Sequence, residues 1–365
     1  MKTPLILLGG FLGAGKTTLL QETARKLAAS GERPGIITND QAPGLVDTAS
    51  LSREHTVEEV SGSCFCCNFS GFMEAVNQLR STSSVILAEP VGSCTDISAT
   101  ILQPIKHDYA QTLRLAPFSV LIDPDRLRNL LQGGTAGLHP SAAYILRKQI
   151  EEADILVITK TDRLTAAQRA DLAARARDRW PGIPVHAVSA VSGDGVDAWL
   201  ASVSEGTNAG GRLTNLDYDI YAEGEAVLGW LNATYRLAGH TVPWDELGKT
   251  ILTALESVFT QQNLAIGHVK FSLKTSAGFL MGNLTGSGAG GELRGSAGQT
   301  AQNDPAELIL NARVETDPAR LQQLVETTLR AAIGETARMQ PMGSNCLRPG
   351  RPNPTYRFDR VIPGA

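Results

Sequence analysis

Short apolar runs alternate with helix-patterned stretches through the first two hundred positions. The runs lie at residues 5–8, 35–38, 85–88, 118–122, 155–158 and 184–188. Most are unbroken Val, Ile and Leu, the pattern of strands covered on both faces. After the first run, Leu19, Thr23 and Leu27, with Leu20, Ala24 and Ala28, recur at four-residue spacing and predict a helix. Thr165 with Gln168 makes a capping-box signature ahead of an Ala-rich helix ending near Trp180. Strands alternating with helices predict an α/β fold with a doubly wound, mostly parallel sheet.

The pattern changes near residue 202. Residues 202–214 are rich in Ser, Gly, Asn and Thr, carry no apolar period and read as a linker. Beyond them the chain predicts a strand over 226–237, a helix over 244–262, and paired strands at 269–273 and 279–284 joined by the turn 274–278. Residues 286–304 read as a mobile Gly/Ala/Ser/Gln loop, 308–314 as a strand and 318–333 as a helix. The expected domains are therefore 1–203, an α/β unit; 215–338, a smaller α+β unit of ferredoxin-like type; and 339–365, an extended Pro- and Arg-rich tail.

Composition narrows the function classes. The chain has 365 residues, 42% hydrophobic and 19% charged, enough to bury ordinary cores. A net charge of −4 and a pI near 5.9 speak against nucleic acid as partner. Aromatic residues at 5% are too few for single-strand stacking platforms. No apolar stretch is long enough to span a membrane. The apolar run after Lys2 is too brief for a signal peptide and reads as a buried first strand. Five cysteines, three of them bunched, do not form a secreted disulfide framework, so a reducing cytoplasm is expected.

The chemistry concentrates in three places. Gly10-Phe11-Leu12-Gly13-Ala14-Gly15-Lys16-Thr17 matches the P-loop in full, between a predicted strand and a predicted helix. Its glycines, with Ala14, let backbone N–H groups turn around phosphate oxygens, and the helix N-terminus favours their charge. Lys16 is expected on the β- and γ-phosphates, Thr17 on Mg²⁺ and Thr18 beside them. Glu89, at the end of the 85–88 run in Glu89-Pro90-Val91-Gly92, is the expected acid on the Mg²⁺ side. Asp40, and Asp47 beyond it, lie where a switch segment belongs. Thr159-Lys160-Thr161-Asp162 resembles the Asn-Lys-x-Asp element of GTPases. Asp162 accepts hydrogen bonds that guanine offers and adenine does not, which predicts GTP over ATP. Ser189 falls where a contact to the base is expected.

The third place is Cys64-Phe65-Cys66-Cys67. Thiolates suit Zn²⁺ and related soft or borderline ions. The spacing is not that of a closed structural zinc site. It predicts an exchangeable ion on Cys64, Cys66 and Cys67, with a last ligand from His55, Cys94, Cys346 or a second subunit. Inert buried thiols and a redox switch are the rival readings.

In this order, the segment from Gly9 to Thr18, the Cys-x-Cys-Cys cluster, the Glu89 element and the Asp162 element together resemble the CobW-like GTPases, relatives of the UreG and HypB metallochaperones. The resemblance covers roughly residues 1–200. It implies a P-loop NTPase fold, slow GTP hydrolysis with Mg²⁺, and metal handling through Cys64, Cys66 and Cys67. It further implies delivery of Zn²⁺, Co²⁺, Ni²⁺ or Fe, with Zn²⁺ and Co²⁺ favoured, to a client metalloprotein, corrinoid or corrinoid enzyme, and a nucleotide-dependent homodimer. This chain departs from the pattern in carrying Thr159 where Asn is usual. It also has six scattered histidines and no His-rich stretch. Two rivals remain: a GTP-controlled module docking to a corrinoid-dependent enzyme with redox-sensing thiols, and an ATP-dependent kinase, against which Asp162 argues.

Overall fold

The computed structural model describes residues 2–286, 290–299 and 304–363. The chain divides into two units. The first holds Met1–Gln41, Leu51–Gly224 and Arg351–Ala365; the second holds Ala42–Ser50 and Glu225–Gly350.

The strands of the first unit are β1 (Thr3–Gly10), β2 (Pro34–Asn39), β3 (Thr56–Val60), β4 (Val85–Glu89), β5 (Leu113–Leu115), β6 (Ser119–Ile122), β7 (Ile155–Ile158) and β8 (Val185–Ala187). They order as β3-β2-β4-β1-β6-β7-β8, with β5 also on β1, and every pairing is parallel. The helices that follow them in sequence are α1 (Lys16–Ala29), α2 (Val46–Leu51), α3 (Phe69–Arg80), α4 (Gln103–Asp108), α5 (Pro124–Leu131), α6 (Pro140–Glu151), α7 (Ala166–Arg179), α8 (Val196–Glu205) and α9 (Tyr218–Ala226), of which α2 lies almost wholly in the Ala42–Ser50 segment of the second unit. A π turn at Ser98–Leu102 runs into α4. The expected doubly wound P-loop architecture is present, and the central strands β4, β6 and β7 are buried at every residue. Such a sheet binds ligands beyond the carboxyl ends of its strands, which is where β1, β2, β3 and β4 deliver the residues discussed below. The capping box at Thr165 and Gln168 forms at the start of α7.

The second unit is an antiparallel sheet of β9 (Gly229–Ala238), β10 (Ile266–Lys274), β11 (Phe279–Leu284), β12 (Glu292–Ser296), β13 (Ala306–Val314) and β14 (Arg338–Leu347), in the order β12-β11-β10-β13-β9-β14. Helices α10 (Trp244–Gln261) and α11 (Pro318–Ile333) supply its other layer, and Trp244, Phe259, Phe271 and Leu329 are buried in the shared core. Without the β11–β12 hairpin, the chain runs βαββαβ with strands ordered β14-β9-β13-β10. That is the ferredoxin-like arrangement, with the hairpin extending one edge.

Four expectations change. The stretch 202–214 is not a free linker. Gly210 and Gly211 donate their amides to Asp154 at 2.6 and 2.8 Å, Arg212 bonds Gly182 O at 2.7 Å, and the unit boundary falls after Gly224. The strand expected over 226–237 starts at Gly229, because Asp217 caps α9 through the amides of Asp219 and Ile220. The first part of the extended tail 339–365 is paired rather than free, as β14, an edge strand of the second unit's sheet that accommodates Pro341 at a register shift. Within the loop expected over 286–304, β12 forms, and residues 287–289 and 300–303 lie outside the described residues.

One buried acid merits a test. Glu152, at the C-terminus of α6, accepts from the Thr95 hydroxyl at 2.9 Å and the Ser98 amide at 2.8 Å. Burial raises its pKa to about 8; the nearby Asp96 charge adds to the rise and the Ser98 amide opposes it. A raised folded pKa means the folded state holds a proton that the unfolded chain releases near 4.5. The stability this acid contributes is complete below that value and is lost as pH climbs through about 8. In urea melts, the parent is expected to lose stability relative to Glu152→Gln across this window, by up to about 1.4 kcal/mol per pH unit. Parallel pH profiles would refute it.

Candidate functional site

The phosphate cradle sits between β1 and α1. Gly10 takes φ +128°, and a Cβ there would fall 2.4 Å from Leu121 O, so no side chain fits where β1 meets β6. Gly13 and Gly15 also have positive φ, at 78° and 92°, and Gly15 caps α1. The loop therefore turns its backbone toward the helix N-terminus, and Ala14 within it is buried. Lys16 bends back over this loop, its Nζ donating to Gly10 O at 2.9 Å and lying 3.7 Å from Glu89 Oε1. The Thr17 hydroxyl donates to the Glu89 carboxylate at 2.9 and 3.2 Å. Two hard oxygen donors thus meet next to the lysine, and this donor chemistry suits Mg²⁺. Thr18 follows in the first turn of α1. Asp40 is buried just past β2, its amide donating to Val60 O at 3.2 Å. Thr38, two residues earlier, pairs with Glu89, so both acids occupy the carboxyl edge of adjacent strands.

Asp47 does not sit beside Asp40's strand edge in the first unit. It lies in the Ala42–Ser50 segment, which belongs to the second unit, where both carboxylate oxygens accept from Lys270 Nζ at 2.8 Å. The segment is fixed further by Asn311, which takes the Val46 amide at 2.8 Å and gives its own amide to Gly44 O at 3.0 Å. The acid expected in a switch segment is thus held in an ion pair within the second unit.

Base-recognition residues lie past β7 and β8. Thr159 Oγ1 donates to Ala14 O at 2.7 Å and reaches Ile122 O at 3.2 Å. Its hydroxyl is spent bracing the P-loop from β7. Lys160 takes φ +51°, and Asp162 is exposed in the turn that follows. Ser189, expected as a base contact, is buried and donates its hydroxyl to Asp162 Oδ1 at 2.6 Å. It orients the carboxylate.

The thiols form one group. Cys67 and Asn68 amides both return to Cys64 O, at 3.0 and 2.9 Å, closing a tight turn ahead of α3. Asn68 caps that helix by accepting from Gly71 N. The Sγ atoms of Cys64 and Cys66 are 3.2 Å apart, those of Cys66 and Cys67 are 3.8 Å apart, and all three lie within 4.8 Å. Tetrahedral thiolates at about 2.3 Å from an ion stand roughly 3.8 Å apart, so this spacing fits a metal. Hydrogen bonds from the Cys66, Cys67 and Cys94 thiols hold the Cys64 pKa well below its ordinary value. The hydrogen bonds that Cys66 and Cys67 give to Cys64 in turn raise Cys66 well above its ordinary value and Cys67 to about 11. The helix N-terminus behind the turn favours the same charge.

Several residues that hold this site carry no motif. Asn39, the last residue of β2, donates to Val60 O and Ser63 O, both at 2.8 Å, and accepts from the Phe65 amide at 2.9 Å. It ties the edge bearing Asp40 to the thiol turn. Gly92 completes a Glu-x-x-Gly spacing. A Cβ there would fall 2.7 Å from Leu12 Cδ2 and 3.1 Å from Lys16 Nζ, so its glycine lets this loop close on the cradle. Gln149 on α6 donates to Gly92 O and Cys94 O at 3.0 and 2.8 Å. The tail crosses the thiol turn: Asn353 N donates to Cys67 Sγ at 3.3 Å, Thr355 N to Cys66 O at 2.8 Å, and Arg357 Nε to Asp96 at 2.8 Å. A sequence shows the end of a strand but not what its last polar side chain spans. The Glu-x-x-Gly spacing alone was there to be read.

Residues 4–186 match a family model described as CobW/HypB/UreG, nucleotide-binding domain. Among solved structures, the chain is similar to the hydrogenase maturation factor HypB from Archaeoglobus fulgidus, at 16% identity over 57% of this chain and 91% of that one, with a TM-score of 0.39. HypB from Helicobacter pylori in complex with nickel gives 15% identity over 59% and 91%, with a TM-score of 0.38. Zn(II)-bound YjiA GTPase from E. coli gives 14% over 93% and 100%, with a TM-score of 0.32. The fold description above rests on strand order, independently of these likenesses.

Proposed function

The chain belongs to the CobW/HypB/UreG family and is a P-loop GTPase, and from that premise we propose that it is a GTP-gated carrier of a transition metal. The reading rests on one observation: the elements expected to touch phosphate also hold the thiol turn. Asn39, one residue before Asp40, carries three hydrogen bonds to the backbone around that turn. The cargo is Zn²⁺ or Co²⁺, held by Cys64, Cys66 and Cys67, and the recipient is a metalloprotein or corrinoid enzyme chosen by the second unit.

GTP lies with its phosphates over Gly10, Gly13, Ala14, Gly15 and Thr18, and Lys16 takes the β- and γ-oxygens. Thr17 and Glu89, with Asp40 close by on the same strand edge, would hold Mg²⁺, which would neutralise charge on the β- and γ-phosphates. Asp162, oriented by Ser189, accepts from the guanine edge, while Lys160 flanks the base and Thr159 braces the cradle. No arginine finger or general base is assigned in this reading, and slow turnover goes with it. Loss of the γ-phosphate relaxes Lys16 and the Gly92 loop, and Asn39 passes the change to the thiols. A nucleotide-dependent homodimer and a cytoplasmic location go with this reading. Among the described residues, no helix is long and apolar enough to cross a membrane.

The test titrates Zn²⁺ and Co²⁺ into the full chain held with a non-hydrolysable GTP analogue or with GDP. A difference in metal affinity of about tenfold, near 1.4 kcal/mol of coupling, is expected. Equal affinities in the two states would sink the gating. The depressed Cys64 thiol lends some support to a second reading, a GTP-controlled module that senses redox state. Peroxide oxidation of Cys64 in metal-free protein, together with absent metal binding, would favour it.

A further inference from the structure

Three thiols leave a tetrahedral ion one ligand short, and the sequence offers several sources for the fourth. The fold separates them. His55 stands at the amino end of β3, five residues before the thiol turn begins to leave its carboxyl end. At about 3.3 Å per residue, that puts the imidazole on the far edge of the sheet. Cys346 belongs to β14 in the second unit and gives its thiol to Pro318 O at 2.9 Å. Cys94 differs on each count. It lies past the carboxyl end of β4, the same edge as the thiol turn, and is 3% exposed. Its backbone is fixed on both sides, the amide donating to Val91 O at 2.9 Å and the carbonyl accepting from Gln149 at 2.8 Å. Its thiol is a hydrogen-bond neighbour of Cys64 and Cys66, while the group of thiols lying within 4.8 Å of one another is Cys64, Cys66 and Cys67, so a four-sulfur seat requires Cys94 to close on Cys67 when the ion binds.

We propose that Cys94 is the fourth ligand, so that the metal seat is Cys64, Cys66, Cys67 and Cys94. This rests on the metal-carrier reading and adds to it a residue outside the Cys-x-Cys-Cys cluster. The four positions are not equivalent. Cys64, Cys66 and Cys94 are buried and form the floor of the seat. Cys67 is half-buried and takes the Asn353 amide of the tail on its sulfur, so it forms the outer wall. An N–H donated to sulfur supports thiolate charge, as does the N-terminus of α3 behind the turn. On binding, the thiols that still carry protons release them to solvent and each sulfur gives a lone pair to the ion. The placement of Cys94 has a mechanical consequence. It follows Gly92 by two residues and Glu89 by five. Glu89 takes the Thr17 hydroxyl, and Gly92 packs against Leu12 and Lys16. One short loop therefore runs from the phosphate side of the nucleotide site to the floor of the metal seat.

The experiment loads the full-length protein with Co²⁺ and counts sulfur ligands by X-ray absorption and by thiolate-to-cobalt charge-transfer intensity. Zn²⁺ affinity is measured by competition with a chromophoric chelator. The parent is expected to show four sulfurs. Cys94→Ser is expected to show three, with proportionately weaker charge transfer and about tenfold or greater loss of Zn²⁺ affinity, since even outer-shell partners cost that much. Cys346→Ser, which also removes one thiol, should match the parent. Four sulfurs retained in Cys94→Ser with unchanged affinity would overturn the assignment while leaving the carrier reading intact. A parent with three sulfurs overturns it without recourse to any variant, so a poorly folding Cys94→Ser does not protect the proposal. A parent that binds Co²⁺ without sulfur would bring down both.

Discussion

Replacing Lys16 with Ala is expected to lower single-turnover GTP hydrolysis by about 10³-fold, some 4 kcal/mol of transition-state stabilisation. The side chain is already in its working place, its Nζ on Gly10 O at 2.9 Å and the whole residue 6% exposed. A cation fixed there pays no reorganisation when charge builds on the γ-phosphate, and burial keeps water from screening it. Phosphoryl transfer asks little of a protein beyond position and charge, so loss of the one cation built into the loop weighs heavily. The alanine also strips Glu89 of the cation 3.7 Å away, leaving a buried carboxylate with the Thr17 hydroxyl. Some stability is lost with the activity, and the comparison must be made on protein shown to be folded by its melting curve. Lys16→Arg does not rescue, because the larger fork must fit beside Gly92, where even an added Cβ would stand 3.1 Å from this ammonium. Hydrolysis within tenfold of the parent in folded Lys16→Ala protein would remove Lys16 from its assigned role.

The contrast between Lys16 and Asn39 explains how much could be read from the chain alone. Lys16 is legible because phosphate chemistry demands a local pattern, eight contiguous residues between a strand and a helix. Asn39 acts through the Val60 and Ser63 carbonyls and the Phe65 amide, partners more than twenty residues away that only folding brings near. Gln149 acts on Gly92 and Cys94 across wider gaps, of 57 and 55 residues. Strands divide the same way. Central β1, β4, β6 and β7 must be apolar on both faces and stand out as runs. The edge strands β3 and β14 need not be: Thr56–Val60 contains two glutamates, and Arg338–Leu347 contains Pro341 and is mostly exposed. The partner of Asp47 is hidden from the sequence for a related reason. Its place in the chain is that of a switch, but Lys270, which decides its role, lies 223 residues further along. Thr159 is the opposite case, a departure from pattern that the fold makes sense of. A hydroxyl is short, yet it reaches Ala14 O at 2.7 Å and so keeps the brace between β7 and the cradle.

That brace sharpens what Asp162 must do. With the Thr159 hydroxyl committed to two carbonyls, discrimination at the base edge falls to the Asp162 carboxylate. Guanine presents two donors there, N1–H and the 2-amino group, and a carboxylate accepts both. Adenine would set its N1 lone pair against the same charge. Asp162→Asn exchanges one acceptor oxygen for a donor that faces the 2-amino group. The variant loses a charge-assisted hydrogen bond and gains a donor–donor conflict, together about 3 kcal/mol, or roughly 100-fold in GTP affinity. Ser189 keeps its place, because the amide oxygen can still accept its hydroxyl, now 2.6 Å from Asp162 Oδ1. Xanthine carries a carbonyl where guanine carries the amino group, so the same amide donor finds an acceptor, and XTP is expected to bind the variant better than GTP does. Competition of GTP, XTP and ATP against a labelled nucleotide measures all three in one assay. If Asp162→Asn keeps the parent's affinity for GTP, or if the parent binds ATP as well as GTP, the carboxylate does not read the base and guanine selectivity has to come from elsewhere in the site.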